Sequence, residues 1–236
     1  LGLRYTPMEN ELTGRIAAVY LPTGGTSQIL NGSSYKDGWV IWNRSSLSVY
    51  GVGYIATSQI FTDTGNHWAK NDIEFITSRG LLTGTSETLF SPATAITRGQ
   101  FVTALGRLSG QAMSGYTKSS FTDVKADSKE LAYIEWAVKN KIISVSGDEF
   151  LPDKAVTREE MAQMMHSYVK AMGYSLPVIR EAAVFSDNAS ISQSAAEAVK
   201  TLHQAGVINA KSGNSFSPKA NLTRAEASAM LRRFME

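Results

Sequence analysis

"ITRGQF" at 96–101, "VTREEM" at 156–161 and "LTRAEA" at 222–227 are one pattern written three times. An apolar residue and a Thr come first, then Arg, one variable residue, and Gln or Glu. Thr followed three residues later by Gln or Glu, just before an apolar-periodic run, is a capping box at a helix start. The spacing therefore puts Arg98, Arg158 and Arg224 on the first residue of three helices. A cation there faces the positive end of the helix dipole, a penalty of about 0.3–1 kcal/mol. A mildly unfavourable choice made three times raises the question of what the arginines bind.

The surrounding residues repeat in the same register. Phe90, Pro92 and Thr97 recur as Phe150, Pro152 and Thr157, then as Phe216, Pro218 and Thr223. After each Thr, offsets four, seven, eight and eleven are apolar: Phe101, Ala104, Leu105, Leu108; Met161, Met164, Met165, Tyr168; Ala227, Met230, Leu231, Phe234. Such a stripe is the buried face of a helix, and it assigns the methionines to the core. Upstream, "FTD" at 61, "FTD" at 121 and "FSD" at 185 open each unit, followed by "HWAKNDIEFITSRG", "LAYIEWAVKNK" and "AAEAVKTLHQAG" as first helices. Units of roughly 60 residues with one apolar face each cannot close a core alone, so the three are expected to pack together. Three like second helices suggest a central bundle with pseudo-threefold symmetry.

Residues 1–57 have a different texture, rich in Gly, Ser, Thr, Tyr and Val. "RIAAVYL" (15–21), "GWVIWN" (38–43) and "LSVYGVGYI" (47–55) read as strands, separated by turn clusters "PTGGTS" and "NGSS". This β-rich segment is expected to be either the end of an upstream domain or a small module supported by the repeat region. The units are expected at 58–118, 119–182 and 183–236. The chain starts at Leu1 with no signal-like stretch, and reads as a piece of something longer.

The totals narrow the function class. With 236 residues, 43% hydrophobic and 19% charged, the chain reads as globular. A net charge of +2 gives no warrant for a nucleic-acid or membrane surface. Zero cysteines exclude thiol catalysis and Cys-ligated metals. His67, His166 and His203 fall at unrelated places in the units and suggest no metal cluster. No phosphate loop and no Ser with recurring His and acid partners is present, so a binding module without cofactor is expected, not an enzyme.

The order of "FTD" or "FSD", "HWA" at 67–69, "FSP" or "FLPD", and "ITRGQ", "VTREE" and "LTRAE" resembles S-layer homology domains. Those come as three tandem copies at one end of bacterial surface proteins. The resemblance covers 58–236 and implies a mainly α fold, a three-pronged spindle with grooves between prongs. It implies non-covalent anchoring on the cell wall of a secreted protein, through a secondary polysaccharide carried by peptidoglycan and a pyruvylated amino sugar. The motif arginine is the family's contact residue, which points to Arg98, Arg158 and Arg224. An assembly module making protein–protein contacts in a surface array is the competing reading.

A pyruvyl ketal carries a carboxylate, which a helix N-terminus and a planar guanidinium can both hold. The bland alternative is that each arginine pairs with an acid of a neighbouring unit. Asp63, Asp123 and Asp187, just before the first helices, suit capping or turn formation, with sugar hydroxyls as the sharper alternative. Trp68 can stack on a sugar or fill the core, and Gly80 allows close backbone approach. Copy one has Gly99 and neutral Gln100 where copies two and three have an acid at the third helical position, Glu160 and Glu226, and it holds Trp68 and Gly80. On that ground the grooves are expected to differ, with the Arg98 groove among those that bind.

Overall fold

The computed structural model describes residues 1–9, 11–43, 48–55 and 60–236, so the expected boundary at 57/58 lies outside the described residues. The β-rich segment holds β1 (Gly2–Arg4), β2 (Ile16–Tyr20), β3 (Gln28–Ile29), β4 (Ser34–Lys36), β5 (Trp39–Ile41) and β6 (Tyr50–Tyr54). These form two antiparallel three-stranded sheets, β1-β5-β4 and β3-β2-β6. The three alternating runs are β2, β5 and β6, with residue 47 outside the described set. The other strands have two or three residues, too few to show a period of two. The segment's core is small: Ile16, Ala18, Leu30, Val40 and Trp42.

One buried cation ties this segment to the rest. Arg79, 2% exposed, donates from Nη1 to the Gly14 carbonyl (2.6 Å) and from Nη2 to that of Ile16 (3.0 Å). Its guanidinium lies 3.7 Å from the Phe75 ring centroid. Burial pushes its pKa down to about 9, so it remains charged at neutral pH. An Arg15–Glu74 pair at 3.4 Å adds a second tie.

The remainder is helical: α1 (Lys70–Ser78), α2 (Arg98–Ser109), α3 (Leu131–Lys139), α4 (Arg158–Ala171), α5 (Gln193–Gln204) and α6 (Arg224–Met235). The second helices touch one another, α2 on α4 and α4 on α6 through Tyr168 and Phe234, but the closest packing is between unlike helices. The principal helix pairs are α2 with α3, α4 with α5, and α6 with α1. Each first helix thus packs on the second helix of the preceding copy, and the third copy closes onto the first. A ring of backbone hydrogen bonds makes the same circuit. The Ile96 N–H donates to the Leu222 carbonyl, Leu222 to Val156, and Val156 back to Ile96, at 2.8–3.0 Å. All three residues are fully buried.

This circuit explains why three weak units give one core, a single cluster running from Phe61 to Leu231. The methionines 161, 164 and 165 lie within it, as does Tyr168. Phe90, Phe150 and Phe216 are each fully buried, worth about 1.5–3 kcal/mol apiece. Among the described residues no helix is long and apolar enough to cross a membrane.

Candidate functional site

All three capping boxes are formed. Thr97, Thr157 and Thr223 accept from the backbone N–H of Gln100, Glu160 and Glu226, whose side chains accept from the Thr backbone in return. The arginines stand at the first helical position, and each makes the same bond to the next copy. Arg98 Nε donates to the Phe150 carbonyl (3.0 Å), Arg158 Nε to that of Phe216 (2.7 Å), and Arg224 Nε to that of Phe90 (2.8 Å). Each guanidinium also lies over that same phenylalanine ring, 4.4–5.1 Å from its centroid.

The helix N-termini are not free anion sites. The first two N–H groups of α2 donate to the carbonyls of Lys154 and Pro152, those of α4 to Ala220 and Pro218, and those of α6 to Thr94 and Pro92. The neighbouring copy's loop occupies the donors that an anion would need. Any anion held here meets the guanidinium, not the helix end.

The three aspartates hold that loop in shape. Asp63 accepts from the backbone of Phe90 and Ser91, Asp123 from Phe150 and Leu151, and Asp187 from Phe216 and Ser217, all at 2.7–3.0 Å. The second residue of each pair has positive φ: 57° at Ser91, 60° at Leu151 and 57° at Ser217. Each carboxylate thus stabilises a left-handed turn nearly thirty residues downstream, instead of capping the adjacent helix. Burial would raise the carboxyl pKa of Asp63 and Asp187, but these N–H bonds outweigh it and hold both below the usual range.

Beyond the shared bond the arginines differ. Arg98 is half-buried, and its terminal nitrogens meet no hydrogen-bond acceptor among the described residues. It lines a cavity of about 420 Å³ with Glu160, Gln163, His166 and Lys170 of α4, the Ile142–Ser144 stretch and Ser194. Arg224, 3% exposed, gives Nη1 to Gln100 Oε1 (3.3 Å) and Nη2 to the Thr83 carbonyl (2.5 Å). It lines a cavity of about 350 Å³ with Gln100, Thr103, Arg107, Lys129, Glu130 and the 81–85 loop. Arg158, 2% exposed, reaches the Asn209 carbonyl at 3.4 Å and lies 3.8 Å from Glu226. Around it Glu226 also takes Lys211 (2.7 Å), and Arg180 clasps Ile208 and Asn209. Burial lowers all three guanidinium pKa values. Glu160 and Asp123 counter it at Arg98, Glu226 and Asp187 at Arg158, and Asp63 at Arg224.

The circuit corrects the grouping of residues by copy. Neither Trp68 nor Gly80 lines the Arg98 cavity. Trp68 is 64% exposed beside His67, so it is not core either. Gly80, φ 66°, closes the end of α1, and its carbonyl accepts from Arg107 beside the Arg224 cavity. Gln100 likewise serves Arg224, and the acid that shares the Arg98 cavity is Glu160 of copy two. Gly99 does not open the backbone to a ligand, because the Glu130 carboxylate fills the space above it. Groove residues missed from the sequence, such as Arg107, Gln163 and Lys170, lie on the polar side of the second helices, which periodicity marks as exposed but not as shared. Among the described residues no His, Asp or Glu cluster suits a metal.

Residues 60–102, 120–162 and 184–228 each match the S-layer homology domain family. The chain is 32% identical over 219 residues to "Amylopullulanase" of Thermoanaerobacterium thermosulfurigenes, covering 92% of this chain and 12% of that protein. It is 34% identical over 185 residues to "Exoglucanase XynX" of Acetivibrio thermocellus, covering 78% of this chain and 17% of that protein. A "Cellulosome-anchoring protein" of the same species is 27% identical over 154 residues, 63% of this chain and 34% of its own. The chain therefore spans only a minor part of the curated relatives it matches.

Proposed function

This chain belongs to the S-layer homology domain family, and from that premise we propose that it anchors a larger protein non-covalently to the bacterial cell wall. The ligand is a peptidoglycan-linked secondary polysaccharide, recognised through a pyruvylated amino sugar in grooves between the prongs of a pseudo-threefold spindle. The anchoring reading draws support from the cellulosome-anchoring relative. Those relatives with enzyme names overlap this chain over only 12% and 17% of their lengths, so their activities need not reside in the shared part. The cyclic helix pairing supports the spindle, since it creates one groove for each pair of successive copies.

The observation that carries the ligand class is Arg98. Its Nε is fixed on the Phe150 carbonyl and its guanidinium is set over the Phe150 ring, its terminal nitrogens have no acceptor among the described residues, and the side chain lines a 420 Å³ cavity. A preset guanidinium with free terminal N–H groups suits a carboxylate, which it can meet with parallel bonds. Lys170 adds charge to the same cavity, and Gln163 and Ser194 offer neutral partners for sugar hydroxyls. Arg224 lines a second cavity, with both terminal nitrogens already donating to Gln100 and the Thr83 carbonyl. Arg158 is the least available of the three.

Co-sedimentation with purified sacculi, intact or stripped of their secondary polymer, tests the proposal. The chain should pellet with intact sacculi and remain in solution with stripped ones. Equal pelleting would move the target to peptidoglycan itself, and no pelleting with either would favour a protein–protein assembly role.

A further inference from the structure

Glu130 ends the loop before α3 and presents a half-buried carboxylate to the Arg224 cavity. Among the described residues no hydrogen-bond donor reaches its oxygens, and no cation lies within 4.0 Å. The contrast with Glu159 is sharp. That carboxylate accepts from the Ser192 backbone and hydroxyl, both at 3.0 Å, and from Lys219. The Glu130 oxygens are not buried atoms, so solvent reaches them and the carboxylate is open to a donor arriving from the cavity.

The environment of Glu130 is built, not incidental. A Cβ on Gly99 would sit 1.8 Å from Glu130 Oε2, so the carboxylate occupies the room that a side chain there would need. In the other copies the residues matching Gly99 are Glu159 and Ala225, and those matching Glu130 are Ala195 and Ala69, both fully buried. Copy one thus has no side chain at this place on α2, and the residue before α3 sets a carboxylate in the same space. Around the carboxylate stand Lys129 from its own loop, Gln100, Thr103 and Arg107 from α2, Arg224 from α6, and Asp153 before α4. Burial pushes the Glu130 carboxyl up, Asp153 adds to this, and Arg107 opposes it.

We propose that Glu130 is a specificity residue of the Arg224 groove, accepting hydrogen bonds from hydroxyl or amide N–H groups of the bound sugar. Arg107, Lys129 and Arg224 of the same cavity take the sugar's anionic group. A carboxylate acceptor at this place distinguishes the groove from the Arg98 groove, where Ser194 and Ala198 line the corresponding wall. This assignment rests on the anchoring reading above.

The test is an NMR titration of the full chain with a pyruvylated amino-sugar methyl glycoside. Amides of residues 81–85 report the Arg224 groove, and those of 142–144 the Arg98 groove. Two variants are compared with the parent: Glu130→Gln, which keeps the shape, and Gly99→Ala, whose methyl displaces the carboxylate. Both should bind about tenfold more weakly at 81–85, a change of about 1.4 kcal/mol, and normally at 142–144. Normal binding of Glu130→Gln at 81–85 overturns the inference, whatever Gly99→Ala does. Parent shifts at 142–144 alone also overturn it, while leaving the anchoring reading intact. No shift at either place removes the pyruvylated-sugar reading, and this inference with it, while co-sedimentation with sacculi still decides anchoring.

Discussion

Arg98 and Arg158 occupy the same place in the same motif, one copy apart, and the protein uses them differently. Both donate Nε to a buried phenylalanine's carbonyl in the next copy and lie over its ring. From there Arg158 turns to Asn209 and Glu226 and is buried to 2%, whereas the terminal nitrogens of Arg98 remain open to a cavity. The motif arginine is therefore first a pin between copies. Whether it can also hold a ligand depends on what the neighbouring copy leaves unpaired. Arg224 is intermediate, bonded to Gln100 and Thr83 yet lining a cavity.

The largest effect should come from removing the closed pin. Arg158→Ala leaves Glu226 without one of its cations and the Phe216 carbonyl without its donor, in a buried place. Because Lys211 still pairs with Glu226, a loss of about 1.5–3 kcal/mol is expected in urea unfolding. Arg98→Ala should lose only about 1 kcal/mol, the net value of an ordinary hydrogen bond. Equal losses would erase the distinction between the two sites.

Ligand affinity should rank them the other way. Arg98→Ala is expected to weaken polymer binding by about 1.5–3 kcal/mol, the range for a hydrogen bond to a charged group. Removing the pyruvyl group from the polymer should cost the parent a similar amount and the variant little, which calorimetry on all four combinations would measure. Additive losses would mean that the guanidinium and the ketal do not meet.

A further pin lines neither of the two arginine cavities. Arg79 joins the helical part to the carbonyls of Gly14 and Ile16, and deleting residues 1–59 exposes it to water. The 60–236 fragment should keep its helical circular dichroism, because the ring of Ile96, Val156 and Leu222 lies wholly within it. It should be less stable than the full chain by about 1–3 kcal/mol. A disordered spectrum would make the β-rich segment an obligate part of the core.

The smallest effect is on pH dependence. Asp63 and Asp187 have folded pKa values below the usual carboxylate range, so the folded state binds fewer protons than the unfolded one as pH falls. Their contribution is present above the unfolded value, about 3.9, and is lost as pH drops through the folded values. Asp187→Asn should flatten the acid limb of a stability-against-pH curve; an unchanged limb would show that the loop turns do not depend on the charge.

The local parts of this structure were legible in residues. Thr97, Thr157 and Thr223 with their partners three positions on announce capping boxes, because both bonds lie within one turn. The stripes at offsets four, seven, eight and eleven announce the second helices, because burial of one face repeats every 3.6 residues. Strands β1, β3 and β4 escaped notice because two or three residues carry no period.

The sequence by itself determined that there are three copies, where their helices begin, which faces are buried and which family they belong to. Only the tertiary structure decided which residues share a groove. Gln100 looked like a neighbour of Arg98 and serves Arg224; Glu160 looked like a neighbour of Arg158 and faces Arg98. The physical reason is that the copies are joined by hydrogen bonds between residues some sixty positions apart or more, Ile96 to Val156 to Leu222. No helical or strand period encodes such a link. It arises from three units, each too small to bury its own apolar face, closing on one another in a ring.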